Sequence, residues 1–143
     1  MTNLNINDAI SKDIEFTDIA LKKLNLAKID LKSASGWGVI DILGGGLIST
    51  LFKHKDMDDA EIHLKEAKSA INELSEELKQ LDELYDIDVD TYTFLGFADL
   101  FLNGIITDWL MQSKIAQAQN QLDTAIKKVE NIKSKLLEIQ QAH

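Results

Sequence analysis

Five polar residues stand in or beside the two most apolar stretches of the chain: Asp41, Lys53, His54, Asp108 and Gln112. Projected on a helix at about 100° per residue, Asp108 falls in the middle of the arc formed by Phe94, Phe97, Phe101, Ile105 and Met111. Gln112, one turn on, falls there too. Asp41 lies between Trp37, Ile48 and Phe52 if its segment is a continuous helix. Burying an unpaired carboxylate costs on the order of several kcal/mol, so each aspartate must find a cation, a set of donors or a proton. Brought together, these five residues would supply an acid, a cation and a titratable imidazole, which is the composition of a small polar pocket. The plainer reading is structural: Asp108 caps backbone amides or accepts the indole N–H of Trp37 and so fixes a unique packing.

Other chemistry is excluded or disfavoured by residue type. The chain has no cysteine, so disulfides, thiolate metal sites and cysteine nucleophiles are ruled out. His54 and His63 read as surface residues, with no Glu-x-x-His or His-Glu-x-x-His run, and neither a metal site nor a cofactor is expected. Gly44-Gly45-Gly46 lacks the Gly-x-x-x-x-Gly-Lys-Ser/Thr form of a phosphate loop. Close helix approach explains these glycines better, with Gly96 and Gly104 in the same part on a facing helix. All fifteen basic residues are lysine and face twenty-four acids, for a net charge of −9. Such a chain repels a phosphate backbone and lacks the arginine forks that read bases, so nucleic acid is not an expected partner. The start, Met1 to Phe16, carries Asp8, Asp13 and Glu15 and no apolar run, which speaks against a signal peptide and for the cytoplasm. Trp37 to Phe52 and Phe94 to Met111 are interrupted by acids and glycines, so a membrane partner is not expected either.

These residues must be positioned by helices. The chain of 143 residues has no proline, is 45% apolar, and fits a single helical domain spanning residues 1–143. A first helix capped by Asn7 or Asp8 carries Ile10, Ile14, Leu21, Leu24 and Leu31 at helical spacing, and Ser33 to Gly38 ends it. A short second helix, broken at the glycine triplet, covers Gly36 to Phe52. A third opens near Asp58, which forms a capping box with Glu61, while Met57 staples onto Ile62. From Met57 to Tyr85 its apolar residues alternate in steps of three and four, a heptad seam. Asp86 to Thr91 supplies a turn and a new N-cap. The last helix then runs without a break from Phe94 to Ile139, its seam interrupted only by Gly104 and Asp108, with Asp99, Asn103 and Thr107 as a solvated edge.

The expected fold is therefore all-α: a four-helix arrangement in which the third and fourth helices form a long antiparallel, coiled-coil-like hairpin, closed by the first helix and the short glycine-broken second. In that register Met57 lies near Asn120, and the tail beyond Asn120 overhangs the third helix. Its apolar stripe must meet one of the first two helices or a second copy of the chain, which predicts self-association.

Two stretches resemble a known group. Trp37-Gly38, Asp41, Gly44-Gly45-Gly46-Leu47, Ser49 and Lys53-His54 form one; Phe97-Ala98-Asp99, Gly104, Asp108-Trp109, Gln112 and Lys114-Ile115 form the other. Together they are similar to a group of small uncharacterised helical proteins of Firmicutes, which agrees with the arginine-free, Ile/Lys/Asn-rich composition. The resemblance implies that the two apolar stretches belong to one unit, and it carries no activity and no site residue. With heptads and no catalytic constellation, the leading function is a non-enzymatic cytoplasmic helical interaction or scaffold protein, its partner another helix or a copy of itself. One alternative is a small-ligand or enzymatic pocket around Asp41, His54 and Asp108. Another is peripheral membrane association through Trp37 to Phe52, opposed by the acidic charge.

Overall fold

The computed structural model describes residues 2–35, 53–104 and 114–142, with side chains over 6–32, 59–104 and 114–142. Within them the chain is all-α, with helices α1 (Thr2–Ser35), α2 (Lys53–Tyr85), α3 (Thr91–Leu102) and α4 (Ile115–Ala142) and no strand. At about 1.5 Å per residue, α1 and α2 are each roughly 50 Å long and α4 roughly 40 Å. Among the described residues no helix is long and apolar enough to cross a membrane. The glycine-broken segment Gly36 to Phe52, with Trp37 and Asp41, lies outside the described residues.

Three-four spacing builds the long elements. On α2 the buried stripe is Ala60, Leu64, Ala67, Ile71, Leu74, Leu78 and Leu81, with Ala70 and Ser75 buried beside it, and on α4 it is Ala118, Leu122, Ala125, Val129, Ile132 and Leu136. Both match the seams expected from sequence. Each buried leucine or isoleucine contributes roughly 1.5–3 kcal/mol relative to exposure, so these stripes dominate the stability of the unit. On α1 the buried positions are Ile10, Asp13, Thr17, Ala20, Leu24, Ala27 and Leu31, again in steps of three and four. Ile14 and Leu21 sit half-buried beside that stripe.

The arrangement of the helices differs from the expected hairpin. The long partner of α2 is α1, which also packs along α4, while α3 packs on α2. Ion pairs give the direction. Lys12 meets Glu77 at 3.0 Å, Lys23 meets Glu66 at 3.1 Å, and Asp30 meets His63, so α1 and α2 are antiparallel. Ser11 accepts from Gln140 at 2.7 Å, Lys133 meets Asp18 at 2.6 Å and Lys28 meets Asp123 at 2.7 Å, so α1 and α4 are antiparallel as well. The apolar stripe of α4 that was expected to overhang is covered by α1 within one chain. A second copy is not needed to cover it.

The continuous last helix is also corrected. Helix α3 ends at Leu102 with Asn103 as its C-cap, and Gly104 follows at φ +85°, a left-handed conformation that favours glycine. Helix α4 begins at Ile115. Lys135 pairs with Asp90, whereas an unbroken helix would hold these residues roughly 65 Å apart. Among the described residues, a Cβ at Gly96 or Gly104 would meet nothing within 4 Å; the glycine-broken segment expected to face them lies outside those residues. Helix starts move too: α1 is already helical at Thr2 and α2 at Lys53, ahead of the caps expected at Asn7 or Asp8 and at Asp58.

The turn between α2 and α3 is where sequence places it. Asp86 closes α2 in the left-handed conformation, φ 56°, its N–H donating to the Asp82 carbonyl at 2.9 Å. Asp90, also left-handed, precedes α3, and the Thr91 N–H donates to Asp88 Oδ1 at 2.9 Å. Phe94, Phe97 and Phe101 then stack along the buried side of α3, with successive ring centroids 5.9 and 5.8 Å apart.

Candidate functional site

Four polar side chains are buried among the described residues: Asp13, Thr17, Ser75 and Thr91. The three hydroxyls are satisfied by backbone. Thr17 donates to the Ile14 carbonyl at 2.6 Å, Ser75 donates to the Ile71 carbonyl at 2.9 Å, and Thr91 accepts from the Val89 N–H at 3.4 Å. Asp13 differs. It is 3% exposed, it occupies a seam position of α1, and its Oδ2 is buried without a hydrogen-bond partner.

The surroundings of Asp13 follow from the antiparallel register. Glu77 arrives opposite on α2, and the Lys12 ammonium, one residue before Asp13, reaches out to it. Lys12 thereby matches Glu77 and is held above its ordinary pKa by that carboxylate. Burial, reinforced by the negative charge of Glu77 and opposed by Lys12, pushes the Asp13 carboxyl up to about 7. A crevice of about 120 Å³ opens beside it, lined by Asp13, Lys12 and Glu77 at its polar end and by Ala9, Leu81 and Leu84 on its apolar walls. Gln80 and Tyr85 complete the lining. A carboxyl that titrates near neutrality in a cleft is the kind of group that exchanges protons or binds cations.

A second titratable contact lies further along the same helix pair. His63 Nδ1 bonds Asp30 Oδ2, with both side chains largely covered. Burial raises the Asp30 pKa, and the His63 contact acts against that rise. This departs from the sequence reading of His63 as a surface residue: it is a partner across the α1–α2 interface.

The side chains of the five residues singled out from sequence all fall outside the described part of the structure. Asp41, Asp108 and Gln112 lie outside the described residues, as do the side chains of Lys53 and His54 on the first turn of α2. The projection that put Asp108 on a seam required one helix from Phe94 to Ile139, and that helix is interrupted. Asp13 was legible by a different count. The periodicity traced through Ile10, Ile14, Leu21, Leu24 and Leu31 passes beside it, whereas strict three-four stepping from Ile10 to Leu31 lands on Asp13 and Thr17. A carboxylate at a seam position is the signal that marks it.

Neither the protein-family models, nor the curated proteins, nor the solved structures contain a match to this chain.

Proposed function

We propose that the protein is a non-enzymatic helical interaction or scaffold protein of the cytoplasm, which presents a stiff antiparallel helical body to a protein partner. The observation that carries this reading is the use made of charge. Lys12–Glu77, Lys23–Glu66, Asp30–His63, Lys28–Asp123, Asp18–Lys133 and Asp90–Lys135 each join two different elements and are spread over the length of the bundle. Individually such pairs contribute only about 0–1 kcal/mol, but their spacing fixes register along helices of 34, 33 and 28 residues. A body held in register over that length suits recognition of another helix. The α2–α3 turn offers a contact surface, with Leu84 71% exposed and Tyr92 61% exposed on either side of it. Residues of this kind, a large aliphatic and an aromatic, anchor protein interfaces.

The test is capture of partners from a native lysate of the source cell by the wild-type protein and by a Leu84→Glu, Tyr92→Glu double variant. Both substitutions fall on exposed positions, so the variant should keep the wild-type helical circular dichroism. The wild-type protein should retain a specific protein, the chain itself included, and the variant should lose it. Equal recovery by both, or recovery of no specific protein, removes the reading.

A further inference from the structure

The crevice between α1 and α2 holds two carboxylates and one cation. Glu77 is matched by Lys12 Nζ at 3.0 Å, while Asp13, 3% exposed, has no cation of its own and one oxygen that accepts no hydrogen bond. The other titratable contacts among the long helices are closed: Asp30 is taken by His63, and Asp90, at the smaller crevice between α3 and α4, by Lys135. Among the described carboxylates, Asp13 is the one with a buried oxygen that accepts no hydrogen bond, although Gln80 and Tyr85 also line its crevice. The two acids repel an anion. A divalent metal would need a larger set of oxygen or nitrogen ligands, and no group of three ligating side chains occurs among the described residues. What the site does supply is a crevice of about 120 Å³ in all, with a charged end and a largely aliphatic wall that also includes Gln80. That is room for about four water-sized groups.

We propose that this crevice is a binding site for a single primary ammonium group on a short alkyl stem, with Asp13 as its counter-ion and Ala9, Leu81 and Leu84 along the stem. The ammonium brings the charge and the N–H donors that the buried oxygen lacks, and the methylenes replace water against the aliphatic walls. Tyr85 sets an aromatic ring in the same lining, a further favourable neighbour for a cation. The stem belongs to a free small amine or to a lysine side chain, which share this chemistry. A proton is the competing way to neutralise Asp13, whose carboxyl is pushed up to about 7, so binding of the ammonium expels a proton below neutrality. Lys12 and Glu77 are the charged groups facing Asp13 from α1 and α2, and both remain paired in the bound state.

The experiment follows the Asp13 carboxyl carbon and the Leu84 methyl resonances of the full chain during titration at pH 8. The ligands are n-propylammonium, Nα-acetyl-lysine methylamide and, at equal ionic strength, tetramethylammonium. Propylammonium should give a saturable shift that tetramethylammonium does not, and its affinity should fall about tenfold between pH 6 and pH 5 as the proton competes. Saturation by the lysine derivative as well assigns the crevice to lysine side chains, and saturation by propylammonium alone assigns it to free amines. Asp13→Asn should abolish the Leu84 methyl response, and Leu84→Trp, at an exposed position, should abolish the Asp13 carboxyl response by filling the mouth. Absence of a saturable shift with both primary amines at pH 8, an equal response to tetramethylammonium, or retention of binding in both variants overturns the proposal.

Discussion

Asp13 shows how a single seam position couples folding to pH. Its folded carboxyl titrates at about 7 against an ordinary 3.8, so between those values the folded chain holds a proton that the unfolded chain has released. Stability therefore falls as pH rises from about 4 to about 7 and levels off above, the reverse of the behaviour of a salt-bridged aspartate. Asp13→Asn mimics the protonated form. It should flatten this slope and, by urea unfolding at pH 8, be more stable than the wild-type chain by roughly 2–4 kcal/mol, the full shift being worth about 1.4 kcal/mol per pH unit. At pH 4 the two should coincide, and a variant less stable than wild type at pH 8 would show that Asp13 is held by partners as an anion. The chemistry of this residue was written in the sequence only as position. A carboxylate on a three-four repeat announces burial, but whether a lysine reaches it depends on the neighbouring helix. Here that helix presents Glu77, which takes Lys12 for itself.

At the scale of elements, the apolar repeats were legible and the ends were not. The stripes of α2 and α4 follow directly from spacing, since only one face of each helix can be covered. Helix starts depend instead on what the preceding residues do, and Asp58 and Glu61, a capping pair by pattern, sit inside a helix that has already begun at Lys53. Gly104 was read as an interruption of a seam, whereas its left-handed backbone marks a helix end. Asp86 to Thr91 was legible because aspartate tolerates that conformation and caps locally. The same fact gives a prediction. Asp86 sits at φ 56° and is exposed, so a β-branched residue there should strain the turn without touching the core. Asp86→Val should cost roughly 1–2 kcal/mol by chemical denaturation, and Asp86→Gly should be neutral or stabilising. Equal losses for valine and glycine would mean that the carboxylate, not the backbone, holds the turn.

Among the described residues, the helices are organised around α1. Sequence could not place it there, because three stripes of similar period can pair in several orders and a short connection between α2 and α3 favours pairing of chain neighbours. Charges of opposite sign meet along both flanks of α1 in the order observed: Lys12 and Lys23 toward α2, Asp18 and Lys28 toward α4. One consequence is cooperative. Helices α2 and α4 bury their stripes against a common partner, so loosening α1 must expose both. Leu24, fully buried on the α1 seam, is the position at which to test this. Leu24→Ala should destabilise the chain by about 2–5 kcal/mol through lost burial and a residual cavity, whereas Leu100→Ala, more than half exposed on α3, should change stability by no more than about 0.5 kcal/mol. Hydrogen exchange then reads the coupling directly. In the Leu24→Ala variant, amides of α2 around Ile71 and of α4 around Val129 should lose protection together and by similar factors, because both are protected only while α1 is docked. Loss confined to one of them would mean that the other helix is held by residues other than α1, and the bundle would then unfold in parts.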